Sequence, residues 1–265
     1  MTEPTEPVLL EETSGNVRIL TLNRPAKKNA LSGDLIDAIN EGFASAAADA
    51  AVRVVGLTGA GDAFCSGADL APRPAGARSS RRANTADHVI RLVRGIRVDC
   101  EKPVVAGIGG IAIGAGLSLA LCADIRIASS KARFHPGYAR AGSSPDCGLS
   151  WTLPQAIGHE RAMRFLLEPR MHAADEALAL GLVGEVVSEE AFEDAFVAYC
   201  HKIAEVAPLA SRQTKRLVTG AGLLADLDGH LRDELELARR ALSSEDGREA
   251  VKAIFEKRKP KFSGR

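Results

Sequence analysis

Three features predict an α/β protein that ends in helices: strand-like and helix-like segments alternate, the strands are apolar on both sides, and the last quarter carries helical periodicity alone. With 265 residues, 46% of them apolar, the chain can bury the core of such a fold without staples. In order, Val17-Arg18-Ile19-Leu20-Thr21-Leu22 alternates with a period of two and is stopped by Asn23-Arg24-Pro25, a strand and its turn. Leu31, Leu35, Ile36, Ile39 and Phe43 then recur at helical spacing behind Ser32, a suitable cap, so a helix is predicted to about Asp49. Strand character returns over residues 52–58. A helix over 83–98, an apolar strand over 103–108, a short helix over 114–122 and a strand over 125–128 continue the alternation.

Apolar strands without a polar face belong to a sheet covered on both sides. Segments 189–206, 208–224, 226–242 and 245–257 are all helical in period, which divides the chain into an α/β core over 1–188 and a helical region over 189–265. No internal repeat stands out. Residues 72–82, rich in Arg, Pro, Ser and Gly, cannot pack a core and are read as a solvated loop or, given the motif before them, a substrate lid.

Composition narrows the partners. Lys plus Arg equals Asp plus Glu at 34 each, so no global field marks the chain for nucleic acid or a membrane surface, and a small molecule is the expected partner. Cys65, Cys100, Cys122, Cys147 and Cys200 are scattered, without zinc spacing, and are read as reduced residues of a cytoplasmic protein. The first seven residues are polar and acidic and are expected to be disordered. With no run of 18 apolar residues, neither export nor a membrane span is predicted.

Two glycine-rich loops follow apolar strands: Gly59-Ala60-Gly61-Asp62-Ala63-Phe64-Cys65-Ser66-Gly67-Ala68-Asp69-Leu70 and Gly107-Ile108-Gly109-Gly110-Ile111-Ala112-Ile113-Gly114-Ala115-Gly116. Such loops leave backbone N–H groups free to face an anion, and two of them suit a two-donor oxyanion hole, although tight strand-to-helix turns read the same way. Together with Leu22-Asn23-Arg24-Pro25, Asn29-Ala30-Leu31, Cys122-Ala123-Asp124 and Arg258-Lys259-Pro260-Lys261-Phe262, their order and spacing resemble the crotonase (enoyl-CoA hydratase/isomerase) superfamily over nearly the whole chain.

That resemblance implies a spiral of ββα units, an acyl-CoA-binding core followed by a helical trimerisation region, and a homotrimer or dimer of trimers. It implies an acyl-CoA thioester as partner, with coenzyme A part of the substrate and no metal or redox cofactor. It carries the oxyanion donors over to the backbone N–H groups of Ala68 and Ala115, and contacts with CoA to Ser66, Ala68, Asp69 and Leu70. Phosphate-binding cations would be Arg24, Lys27 and Lys28, with Lys259 or Lys261 from a neighbouring subunit; a solvated surface charge is the plainer reading of each. Gly114, Ser118, His135, Tyr138 and Arg140 would border the acyl pocket, where a packed, hydrogen-bonded role is the plainer reading of His135 and Tyr138.

The chain departs from the family's hydratases. Where those carry two glutamates, two residues after the oxyanion loop's last glycine and again after the next strand, this chain has Ser118 and Tyr138, whose hydroxyls do not titrate near neutral pH. A different carboxylate, Asp146 in Ser144-Pro145-Asp146 at the start of a predicted helix, resembles that of members that isomerise double bonds or ring-epoxide acyl-CoAs. Asp146 is therefore the expected general acid and base, with a helix N-cap as the structural alternative. The functional expectation is enoyl-CoA isomerisation; the alternative is a non-catalytic acyl-CoA-binding protein that has lost the hydratase glutamates. Aspartate attack on a ring carbon, as in related dehalogenases, lacks an added aromatic-pocket signature. A relaxed dinucleotide fingerprint at Gly107, Gly109 and Ala112 lacks its acidic partner, since Asp124 comes too early, and a nucleophile-elbow near-match around Ser118 lacks its last glycine and an ordered acid and histidine.

Overall fold

The computed structural model describes residues 6–70, 85–220, 227–258 and 260–261. The expected lid at 72–82 lies outside these residues. β1 (Leu9–Ser14) and β2 (Val17–Leu22) form an antiparallel hairpin pairing Leu9 with Leu22. β1 carries no strand signal in the sequence because it is an edge strand whose only buried residue is Leu9. In α1 (Gly33–Ala48), the Ser32 Oγ accepts the Leu35 N–H at 3.3 Å as expected of a cap, and Leu35, Ile39 and Phe43 are buried.

Three ββα units follow: β3 (Val54–Gly59), β4 (Ala63–Cys65) and α2 (Thr85–Arg94); β5 (Val104–Ile108), β6 (Ile111–Ile113) and α3 (Ala115–Cys122); β7 (Ile125–Ser129), β8 (Arg133–His135) and α4 (Leu149–Ile157). In each unit the first strand joins a six-stranded sheet, completed by β10 (Glu185–Val187), of order β1-β2-β3-β5-β7-β10, and the second joins a four-stranded sheet, completed by β9 (His172–Ala173), of order β4-β6-β8-β9, so the chain winds as a spiral. Between the last unit and the C-terminal helices lie α5 (His159–Leu167), β9 (His172–Ala173), α6 (Ala174–Leu180) and β10 (Glu185–Val187). The predicted glycine loops therefore each contain a strand, β4 or β6. Strands of three residues are too short for a period-two pattern to register. The helix predicted over 83–98 is seen as α2 continued by a π-helical turn over Gly95–Asp99.

The helical region comprises α7 (Phe192–Ala204), α8 (Pro208–Gly220), α9 (Leu227–Ser243) and α10 (Glu245–Phe255). α7 covers the second face of the large sheet, where Phe196 and Cys200 cluster with Val17, Val54, Val105 and Ile127. Glycines make the seat for Phe196: a Cβ on Gly107 would lie 2.7 Å from its ring, and one on Gly56 2.9 Å from it. The sheet is thus buried on both faces, as its apolar strands predict, and Gly107 and Gly109 serve packing against Phe196 and Phe192 where the dinucleotide fingerprint would have them cradle a phosphate. α8 is pinned by Lys215, whose Nζ donates to the carbonyls of Ile96 at 2.8 Å and Lys102 at 3.0 Å and pairs with Asp124 at 2.9 Å. Among the described residues no helix is long and apolar enough to cross a membrane.

Candidate active site

β4, β6 and β8 run parallel, with Cys65 opposite Ala112 and Ile113 opposite His135. Loops 66–68, 114–115 and 136–138 therefore leave one sheet side by side, at the carboxyl ends where parallel α/β sheets bind ligands. Glycines let them touch. Gly67 has φ +98°, and a Cβ there would lie 2.8 Å from the Ile113 carbonyl and 3.6 Å from the Ala115 nitrogen. A Cβ on Gly116 would lie 2.2 Å from the Cys65 carbonyl, so α3 starts directly against the first loop.

The two expected oxyanion donors lie on these neighbouring loops. The Leu31 N–H donates to the Gly67 carbonyl at 2.8 Å and the Asp69 N–H to the Leu31 carbonyl at 3.1 Å. In this parallel bridge the intervening Ala68 turns its own N–H away from Leu31, and Ala68 is exposed. Ala115 is the first residue of α3, whose cap Gly114 has φ +54° and no side chain to occupy the helix N-terminus. An N–H there has no partner within its helix and carries the positive end of the helix dipole.

Asp146 lies beyond β8. The predicted helix starts later than its sequence suggests: Gly148 is the cap of α4, and Asp146 contributes its backbone carbonyl, which accepts the Leu149 N–H at 3.1 Å. The N-cap alternative for Asp146 is thereby corrected. Its carboxylate is bound elsewhere, with Oδ1 accepting the Tyr138 O–H at 2.6 Å. Cys147 and Gly148 are both left-handed, at φ +52° and +78°, which separates the carboxylate from the helix that follows.

Ser118 and Tyr138 meet in the same place. The Ser118 Oγ is 2.8 Å from the Tyr138 hydroxyl, 3.1 Å from the Asp146 carbonyl and 3.2 Å from the Gly114 carbonyl. Ser118 is fully buried in the middle of α3, not exposed on a sharp turn, which disposes of the nucleophile-elbow reading. Burial pushes the Asp146 carboxyl above the usual range, opposed by hydrogen bonds from Tyr138 and Cys147. Burial and the neighbouring Asp146 charge raise the Tyr138 phenol well above its ordinary value, so it stays a proton donor. His135 is buried, its Nδ1 accepting the Gly137 N–H at 2.8 Å; it shapes the turn that carries Tyr138.

The expected CoA-binding residues cluster around the turn before α1 and the first loop. Arg24 pairs with Asp69 at 2.9 Å and donates to the Ala30 carbonyl, Lys28 pairs with Asp62, and Lys27 and Leu70 are exposed. The Ser66 N–H donates to the Lys28 carbonyl at 2.9 Å, which ties the cationic turn to the first loop. Lys261 is exposed, its N–H on Glu249 at 2.9 Å. Lys259 and the Arg140 side chain lie outside the described residues.

Asn29 is the site residue whose part the sequence does not disclose. Fully buried at φ +54°, it donates to the carbonyls of Ala60 at 2.9 Å and Ala63 at 2.7 Å and accepts the Arg24 N–H at 2.8 Å. It fastens the cationic turn to the strand leading into the first loop. Asp124 is likewise structural, accepting the Val104 N–H at 2.8 Å. Among the described residues no three His, Cys, Asp or Glu side chains come together to hold a metal ion.

Comparison with known proteins agrees with this architecture. A family model described as enoyl-CoA hydratase/isomerase matches residues 12–265. A probable enoyl-CoA hydratase of Mycobacterium leprae is 36% identical over 96% of this chain and 89% of its own length. The 1,2-epoxyphenylacetyl-CoA isomerase of Escherichia coli is 33% identical over 97% of this chain and 98% of its own. The crystal structure of an enoyl-CoA hydratase from Mycobacterium avium subsp. paratuberculosis superposes with a TM-score of 0.87 at 33% identity, covering 97% of this chain and 98% of that one.

Proposed function

The chain belongs to the enoyl-CoA hydratase/isomerase family, with its crotonase fold, and from that premise we propose that it isomerises an acyl-CoA thioester through an enolate. Asp146 is the proton carrier, and the backbone N–H groups of Ala68 and Ala115 are the donors to the thioester oxygen. The observation that carries this reading is the hydrogen-bonded group of Ser118, Tyr138 and Asp146, in which one carboxylate stands among hydroxyls.

The step is a proton shuttle. The carboxylate of Asp146 takes a proton from a carbon beside the thioester or in conjugation with it; the electron pair of that C–H bond moves into the enolate, whose oxygen receives the two N–H groups. The protonated Asp146 then returns the proton to another carbon of the conjugated system, the double bond shifts, and the carboxylate is restored. Each preorganised oxyanion donor is worth about 3 kcal/mol of barrier. Burial suits Asp146 to this work, because a carboxyl raised toward neutral pH both accepts and returns a proton readily. Arg24, Lys27, Lys28, Ser66, Asp69 and Leu70 would hold the CoA portion, and Gly114, Ser118, His135 and Tyr138 the acyl end. The Escherichia coli relative named as an isomerase supports this reading.

Hydration is the second reading, favoured by the hydratase name of the Mycobacterium leprae relative. It needs a group that activates water and a group that protonates carbon, and here Asp146 would have to do both. A third outcome, acyl-CoA binding without turnover, fits the hydroxyls at 118 and 138. Spectrophotometric assays with 2-enoyl-, 3-enoyl- and ring-epoxide acyl-CoAs, run on the protein and on Asp146→Asn with CoA affinity in parallel, separate the three. Isomerisation that Asp146→Asn loses by at least about 1,000-fold, with affinity kept, is expected. Hydration of 2-enoyl-CoA alone, or binding without turnover, rejects the proposal.

A further inference from the structure

Ser118 and Tyr138 do more than line a pocket. The Ser118 Oγ sits within hydrogen-bond distance of the Tyr138 hydroxyl (2.8 Å), the Asp146 carbonyl (3.1 Å) and the Gly114 carbonyl (3.2 Å). The Gly114 carbonyl belongs to the same peptide unit as the Ala115 N–H. The Ser118 N–H donates to that Gly114 carbonyl at 3.0 Å, so Ser118 is anchored by its backbone on the peptide that carries an oxyanion donor while its hydroxyl faces the segment that carries the carboxylate. Tyr138 completes the frame, placing its O–H 2.6 Å from Asp146 Oδ1 and 3.3 Å from the Asp146 carbonyl.

Proton counting gives the frame a direction. An ionised Asp146 offers no proton, so the 2.6 Å contact takes the single proton of Tyr138. The 2.8 Å contact between the two hydroxyls must then be donated by Ser118. The chain runs from Ser118 to Tyr138 to Asp146; with its one proton on Tyr138, the Ser118 hydroxyl is only in close contact with the Gly114 and Asp146 carbonyls, and the hold on Gly114 is that of the Ser118 backbone N–H. A neutral buried donor with a phenol that does not ionise can hold a carboxylate without repelling it, which a glutamate at either position could not do.

We infer that Ser118 and Tyr138 are positioning residues that brace Asp146 against the Gly114–Ala115 peptide, setting the distance and orientation between the proton carrier and the oxyanion donor. This rests on the proposal that Asp146 carries the proton. Among the described residues the titratable groups that act on Asp146 are Tyr138 and Cys147, and both hydrogen bonds favour its ionised form against the burial that disfavours it. Loss of the Tyr138 hydroxyl therefore makes Asp146 harder to ionise, and the acid limb of kcat/KM moves to higher pH.

Tyr138→Phe keeps the ring and removes the brace. Its expected effect is a fall in kcat of about 10- to 100-fold with KM changed less than about threefold, and an acid limb displaced upward. Ser118→Ala should displace the limb in the same direction by less, and the double variant should lose less than the product of the two single losses, because both act through one chain. The Asp146 carboxyl is titrated independently by carbon-13 NMR on aspartate-labelled protein, whether or not a substrate has been found. An unchanged carboxyl titration in Tyr138→Phe overturns the brace; should that variant not fold, an unchanged titration in Ser118→Ala does so. Full isomerase activity in Asp146→Asn would instead overturn the reading on which the brace rests.

Discussion

Asn29 shows how a single amide can tie a cationic turn to a glycine-rich loop. It holds two carbonyls and one N–H inside the protein, in a left-handed conformation that Asn tolerates better than most side chains. Asn29→Ala would strand those partners and force alanine into the same conformation. At about 1 kcal/mol or more per orphaned group, we expect about 2–4 kcal/mol of lost stability in urea unfolding, with a fall in kcat/KM as the first oxyanion loop loosens. Asn29 could be singled out in the sequence within Asn29-Ala30-Leu31, but its work could not, because its partners Ala60 and Ala63 lie more than 30 residues away. Asp146 was legible in the sequence as the carboxylate of a Ser-Pro-Asp segment. Its position relative to α4 was not, because two successive left-handed residues, one of them Cys147, leave no sequence signal that a helix start has been displaced.

At the scale of elements, long apolar strands and amphipathic helices could be read directly. β2, α1 and β5 lie within about two residues of where their periodicity places them, and the Ser32 cap forms as its position implies. The small sheet could not be read, since β4, β6 and β8 have three residues each and gain their order from one another. Yet that sheet sets the three loops of the candidate site side by side. α8 is held by a contact equally invisible in the sequence: Lys215, buried, reaches two carbonyls and Asp124. Removing one partner of such a pair leaves the other partly buried and uncompensated. Lys215→Ala should therefore cost about 3–5 kcal/mol and detach α8, seen as faster amide exchange over Pro208–Gly220. Exchange unchanged in that helix would contradict its role as the pin.

Over the whole molecule, the described helical region presents apolar side chains without cover in one chain. Leu209, Leu217 and Val218 of α8 and Phe255 of α10 are each at least 59% exposed. Large apolar groups in such number mark surfaces of association, and we propose that they are buried in a homotrimer or dimer of trimers. Sedimentation at three or six times 27.9 kDa is expected, with a shift toward the single chain in Leu217→Glu; a wild-type monomer would contradict it.

Proton exchange between Asp146 and carbon, with two backbone amides holding the enolate, is the step on which the proposed function turns. It is tested most directly by proton NMR of a saturated acyl-CoA incubated with the enzyme in deuterium oxide, where turnover to product is not required. The wild-type protein is expected to replace a proton on the carbon next to the thioester with deuterium, and Asp146→Asn to bind the same thioester without exchanging it. Exchange at the wild-type rate in Asp146→Asn, or none in the wild-type complex, would contradict it.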